Sequence, residues 1–115
     1  MDNLTEKNLL FDFYGAILTE RQQKVFELYH EEDLSLGEIA QQLQISRQGV
    51  YDLVHRAERS LREMEDKLGL IRRYREEQEI VAIVEEQLRE SLDLMGDQPG
   101  SEQIRRALSY LSKLK

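Results

Sequence analysis

The sequence predicts an all-α protein, a helix-turn-helix bundle followed by a C-terminal helical hairpin. Three observations predict it. Apolar residues recur at three- and four-residue spacings along nearly the whole chain, and no alternating strand pattern lasts long enough to compete. Two Ser/Thr-x-x-Gln/Glu boxes, Thr19-Glu20-Arg21-Gln22 and Ser35-Leu36-Gly37-Glu38, mark helix starts. The stretch "LSLGEIAQQLQISRQGVYDLV", residues 34–54, divides into two short helices around a tight corner. Residues 1–69 read as the helix-turn-helix domain. Residues 70–115 read as a two-helix extension that packs on that domain or on a second subunit.

In chain order, a first helix spans about Thr5 to Ile17, with Leu9, Leu10, Phe13 and Ile17 expected inward. Thr19 opens a second helix that ends near His30 and carries Val25, Phe26, Leu28 and Tyr29. The acids Glu31-Glu32-Asp33 are poor partners for a helix C-terminus and read as a solvated link. Ser35 caps a short helix through Leu43, and Ser46 caps the next, which runs to Lys67 or Leu68 with Gly69 as its stop. That helix places Val50, Val54, Ala57, Leu61, Met64 and Leu68 on a coiled-coil-like seam. A further helix, about Ile71 to Met95, repeats Tyr74, Val81, Leu88 and Met95 every seven residues, with Val84 and Leu92 widening the stripe. The turn Asp97-Gln98-Pro99-Gly100 holds the single proline of the chain. Ser101 is then expected to cap a last helix with Ile104, Ala107, Leu108 and Leu111 inward.

Composition narrows the function classes. The 115 residues contain no cysteine, which excludes disulfides and thiolate metal sites and suits a reducing cytosol. No apolar run approaches a membrane span, and Met1-Asp2-Asn3-Leu4 lacks the basic start of a secretion signal. A cytoplasmic protein with no membrane partner is expected. The net charge of −7 argues against a general nucleic-acid coat, because that affinity comes from neutralising phosphates. The charge is uneven, however. Residues 1–45 hold nine acids against three bases, −6, whereas residues 46–62 hold four arginines against Asp52 and Glu58, +2.

The corner motif needs an apolar set on both helices and a small residue where their backbones cross. Ile39, Leu43, Ile45, Val50 and Leu53 supply the set, and Ala40 supplies the crossing residue. Gln44 stands at the corner where glycine is favoured, at a modest cost of about 1 kcal/mol for a left-handed conformation. If the second helix enters a major groove, its first turn faces the bases. Arg47 then offers two donors to guanine, and Gln48 bonds adenine in both directions. Ser46 and the neighbouring amides suit a phosphate. Tyr51 and His55 follow on the same side, and Arg56 and Arg59 can reach flanking phosphates. Asp52 is the discordant member, since its carboxylate repels phosphate although it can accept from a cytosine amine.

From Leu18 to Glu63, the motifs "LTERQ", "LSLGEIAQQL" and "ISRQGV" resemble the promoter-reading end of bacterial sigma factors, known as region 4, in order and spacing. With "NLLFDFYGAILTERQQ" before them and an acidic two-helix tail after them, the chain resembles the YlxM family of small bacterial helix-turn-helix proteins. That family is linked to the signal recognition particle because its genes neighbour those of the particle's GTPase and its receptor. The resemblance implies a non-enzymatic regulatory or accessory protein in co-translational targeting, with the particle's protein or RNA as partner. Carried over, Ser46, Arg47, Gln48, Tyr51 and Asp52 remain the groove-facing candidates.

Other chemistry finds little support. His30 and His55 are the only histidines and fall on different helices, and "HEED" at residues 30–33 reads as a solvated loop rather than a metal cluster. No glycine-rich phosphate loop and no carboxylate pair with an adjacent histidine is present, so neither an enzyme nor a cofactor is expected. Glu85 and Glu86 point to different sides of their helix. Tyr14, Tyr29 and Tyr110 read as core or rim residues. The stripe on residues 71–95 leaves two readings open: packing within the chain, or a homodimer seam giving a DNA reader two-fold symmetry. Two functions therefore stand, an accessory of the signal recognition particle and a sequence-reading DNA-binding regulator.

Overall fold

The computed structural model describes residues 3–114. Met1, Asp2 and Lys115 lie outside them, and with them the start of the stretch weighed above as a secretion signal. The elements are α1 (Asn3–Tyr14), a 3₁₀ turn (Gly15–Ile17), α2 (Glu20–His30), α3 (Leu36–Leu43), α4 (Arg47–Leu68), α5 (Leu70–Met95) and α6 (Ser101–Ser112). The described residues contain no strand, and the fold class is all-α. Contacts divide the chain into two compact units, Met1–Ile71 and Arg72–Lys115.

In the first unit, α2 feeds two adjoining cores from neighbouring residues. Phe26 joins Leu10, Tyr14, Leu18, Ala57, Leu61 and Ile71, and stacks on Phe11 with ring centroids 4.8 Å apart. Val25 and Leu28 join Ile39, Ala40, Val50 and Val54, with Leu43, Ile45 and Leu53 packed around them. Burying each such aliphatic side chain stabilises the unit by about 1.5–3 kcal/mol. The second core is the helix-turn-helix itself.

Local chemistry sets the helix ends. Both capping boxes are complete: the Thr19 hydroxyl accepts from Gln22 N while the Gln22 side-chain Oε1 accepts from Thr19 N, and Ser35 and Glu38 repeat the exchange. Gly69, at φ 64°, ends α4 and donates to the Glu65 carbonyl at 2.8 Å. The start of α5 is capped from a distance. The Tyr14 hydroxyl accepts from Leu70 N at 3.2 Å and donates to the Glu65 carboxylate at 2.6 Å, which also accepts from Ile71 N at 3.0 Å.

Four expectations need correction. Phe13 and Ile17 face solvent, at 37% and 49% exposure, and Tyr14 and Leu18 take the inward places. Phe13 lies within α1, where Leu10 and Tyr14, four residues apart, take the inward line; Ile17 lies in the 3₁₀ turn after Tyr14, where three residues per turn replace 3.6 and rotate the faces. Leu68, the last residue of α4, is half exposed although it continues the α4 seam, because neither core cluster extends to it. Ser101 is the first residue of α6 and is buried, so the N-cap is Gly100, without a side-chain bond. Tyr110 is exposed rather than core or rim.

In the second unit, α6 returns along α5, since Gln78 Nε2 donates to the Leu114 carbonyl at 2.6 Å. Val81 is buried, and Leu88, Leu92 and Met95 are partly buried on the Gln78 side of α5. Ile104, Ala107, Leu108 and Leu111 are likewise partly buried on α6. Tyr74 and Val84, placed in the same stripe by their spacing, lie at its exposed margin. Arg105 bonds Asp97 at 3.1 Å and fixes the α5–α6 turn.

Candidate functional site

The corner between α3 and α4 is built by backbone geometry first. Gln44 adopts the left-handed conformation, φ 58° and ψ 44°, and the Ile45 N–H donates to the Ala40 carbonyl at 3.1 Å. Ala40 is buried at the crossing, where a longer side chain would push the two helices apart. Ser46 then caps α4, its hydroxyl accepting from Gly49 N at 3.0 Å. Gly49 protects that cap, for a Cβ there would lie 3.1 Å from Ser46 Oγ. The first two amides of α4, those of Arg47 and Gln48, have no carbonyl within the helix to receive them. The Ser46 hydroxyl proton remains available to an incoming acceptor, because its oxygen is engaged only as an acceptor from Gly49.

The eight candidates Ser46, Arg47, Gln48, Tyr51, Asp52, His55, Arg56 and Arg59 are all exposed. The inward line of Val50, Val54, Ala57 and Leu61 fixes the outward side of α4. On that side Gln48, Tyr51, Asp52, His55 and Arg59 stand together, with Arg56 at its edge, while Arg47 lies nearer the inward line and is exposed as the first residue of α4. Neighbours on this surface already engage one another. Gln48 Nε2 donates to Asp52 Oδ1 at 3.1 Å, and the Tyr51 and His55 rings meet with centroids 4.0 Å apart. A base contact by Gln48 therefore first gives up its bond to Asp52.

Electrostatics moderate the basic stripe. Arg62 is drawn to Glu6 of α1 at 3.0 Å. The shallow groove along α4 beyond His55 is lined by Arg59 and Arg62 but also by Glu58, Glu63 and Asp66. A cluster that sequence reading missed lies just inside this surface. Glu58 Oε1 meets Lys7 Nζ at 3.1 Å and His30 Nε2 at 3.0 Å, joining α4 to α1 and α2. Burial pushes the Glu58 carboxyl up, but the hydrogen bonds from His30 and Lys7 outweigh it and hold the group below its ordinary value. Residues 28 and 51 apart in sequence carry no local signal of such a meeting.

His30 also borders a cavity with Tyr29, Glu31, Asp33, Leu34, Ser35 and Glu38. Its acids are dispersed, and Glu38 is committed to the Ser35 cap, whose backbone hydrogen bond lowers the carboxyl. Among the described residues no three His, Asp or Glu side chains converge to hold a metal ion. No described helix is long and apolar enough to cross a membrane.

Comparison with known proteins agrees with this architecture. A UPF0122 protein of Bacillus mycoides (strain KBAB4) is 39% identical over 114 residues, covering 99% of this chain and 98% of the relative. Another from Thermoanaerobacter sp. (strain X514) is 44% identical over 75 residues, 65% of this chain; the match spans 64% of that relative, just under two thirds of its length. A third, from Desulforamulus reducens, is 54% identical over 70 residues, 61% of this chain and 60% of the relative. The family model described as "Putative helix-turn-helix protein, YlxM / p13 like" matches residues 1–98. With most of its length matched and its corner built as a helix-turn-helix, the chain belongs to the UPF0122 family.

Proposed function

We propose that this protein is a non-enzymatic regulatory or accessory protein of the signal recognition particle pathway, and that it binds its partner through the outward side of α4. The pathway comes from the family resemblance. The observation that carries the mode of action is the mixed, self-paired surface of α4: Gln48 is bonded to Asp52, Arg62 to Glu6, and Glu63 and Asp66 line the groove beyond His55. Such a surface suits a partner with its own array of donors and acceptors. A phosphate-lined groove instead draws affinity from accumulated positive charge. With a net charge of −7, the partner expected is a basic protein surface of the particle, or that protein together with its RNA. The test is retention of purified particle protein, with and without RNA, on immobilised chain at modest salt. Retention that Tyr51→Ala or Asp52→Ala abolishes supports the reading, and absence of retention in both arms overturns it.

A second reading, sequence-specific DNA recognition, is favoured by the Ser46-capped first turn of α4, which stands exposed with Arg47 and Gln48 upon it. On that reading Arg47→Ala costs about 1–3 kcal/mol and relaxes preference at one base. Selection from random duplexes decides it: an enriched sequence supports recognition, and none removes it.

A further inference from the structure

Very few side chains set the sign of charge on the outward side of α4. Between Arg47 and Ala57 the chain has a single acid, Asp52. Farther along, Glu58 is committed to Lys7 and His30, and Arg62 to Glu6. Among the described residues Arg47, Arg56 and Arg59 take part in no ion pair, and all three are exposed. Over residues 47–59, three guanidinium groups are thus left against one carboxylate.

That carboxylate occupies the middle of the surface. Asp52 stands almost opposite the inward line of Val50, Val54, Ala57 and Leu61, one turn beyond Gln48 and one turn before Arg56. An acid four residues ahead of an arginine on a helix commonly pairs with it. Asp52 instead reaches back and accepts from Gln48 Nε2 at 3.1 Å. The bond draws the negative charge toward the first turn of α4, where the amides of Arg47 and Gln48 are open to an acceptor. A phosphate docked on those amides would meet the carboxylate at about one helical turn, inside the roughly 10 Å over which charges stay coupled in salt. The second Asp52 oxygen has no bond among the described residues, so it can accept from a cationic donor on the side that carries the Tyr51–His55 ring pair.

Given the proposed use of this side of α4 as the partner surface, we infer that Asp52 decides which class of partner it accepts: the carboxylate, held by Gln48, turns away the phosphates of nucleic acid and takes a guanidinium or ammonium group of a basic protein surface. Like-charge juxtaposition at the centre of an interface excludes a wrong partner more effectively than a missing contact does. Loss of this single charge opens the corner to DNA, because Arg47, Arg56 and Arg59 are then unopposed.

The experiment measures binding of the full chain to a fluorescein-labelled DNA duplex of mixed sequence, by anisotropy at low salt. Asp52→Asn keeps the oxygen to which Gln48 donates and removes only the charge, whereas Asp52→Glu keeps the charge. Glu32→Gln makes the same change of net charge in the exposed link between α2 and α3. Asp52→Asn binds the duplex about tenfold more tightly than the native chain, with a salt dependence steeper by about one phosphate contact. Asp52→Glu and Glu32→Gln stay within about twofold of native. Purified particle protein shows the opposite order, with retention on Asp52→Asn falling about tenfold. Circular dichroism gives all four chains the same helical signal. No gain in duplex binding by Asp52→Asn overturns the role of Asp52, as does an equal gain by Asp52→Glu or Glu32→Gln. So does a native chain that already binds the duplex as tightly, or particle protein held equally by native and Asp52→Asn chains. The duplex arm needs no particle protein, so its failure leaves the proposed function standing; a native chain that retains no particle protein removes that function instead.

Discussion

Replacing Tyr14 by phenylalanine probes how the end of α4 and the first residues of α5 are held in the first unit. The Tyr14 ring is buried, and its hydroxyl bridges two groups: it donates to the Glu65 carboxylate at 2.6 Å and accepts from Leu70 N at 3.2 Å. A hydrogen bond to a charged acceptor contributes about 1.5–3 kcal/mol, and the helix-capping bond adds a fraction more. Phenylalanine keeps the ring and its packing and removes both bonds. Water replaces part of the second, because Leu70 lies at an exposed position. The expected loss is about 2 kcal/mol, or roughly 8–16 °C in melting temperature for a cooperative unit of this size. Thermal unfolding followed by circular dichroism at neutral pH measures it. A double-mutant cycle with Glu65→Gln isolates the pair, with a coupling of about 1 kcal/mol expected. The pH dependence has a definite sign. Burial first, and the Glu65 hydrogen bond second, raise the phenol above its ordinary 10.0, so the folded state favours the neutral form. That stabilisation is whole below pH 10.0 and is lost as pH rises through the higher folded value, a limb the phenylalanine variant lacks. A melting temperature that Tyr14→Phe moves by less than about 2 °C would refute the reasoning, since the bridge would then carry no net free energy.

Other perturbations test the corner and the ion cluster. Gln44→Gly relieves a left-handed glutamine worth about 1–2 kcal/mol and returns about 0.5–1 in backbone entropy, so the urea midpoint rises slightly with its slope unchanged. Ser46→Ala removes the α4 cap and lowers stability by about 1 kcal/mol in the same denaturation assay. Gly49→Ala presses on the same hydroxyl and destabilises the native chain more than the Ser46→Ala chain, an order that equilibrium unfolding of the four proteins checks. Glu58, held low by His30 and Lys7 against the effect of burial, stabilises the fold at pH above its ordinary 4.5. That contribution is lost as pH falls through the lower folded value, and Glu58→Gln flattens this part of an acid titration followed by circular dichroism.

What could be read from the residues alone is what depends on neighbours within about one helical turn. The boxes at Thr19 and Ser35, the Ser46 cap and the Gly69 stop each satisfy backbone groups three or four residues away, and all four stand where the pattern places them. The same holds for the corner set of Ile39, Ala40 and Val50. Gln48, Tyr51, Asp52, His55 and Arg59 share the outward side of α4 because helical periodicity alone puts them there. Contacts between distant segments were not legible. The meeting of Lys7, His30 and Glu58, and the cap that Tyr14 gives to α5, span up to 56 residues and arise only when α1 is laid against α4. The choice between Phe13 and Tyr14 as the inward aromatic follows from the distant partners that Tyr14 meets, the core around Phe26 and Leu61 and the Glu65 carboxylate. Helix α5 carries apolar residues on two sides, and only the return of α6, recorded by Gln78 and Leu114, decides which side is covered. Sequence thus determined where α2, α3 and α4 begin and where α4 stops, because those caps are local. The tertiary structure decided which face each helix buries, because that depends on what lies across from it.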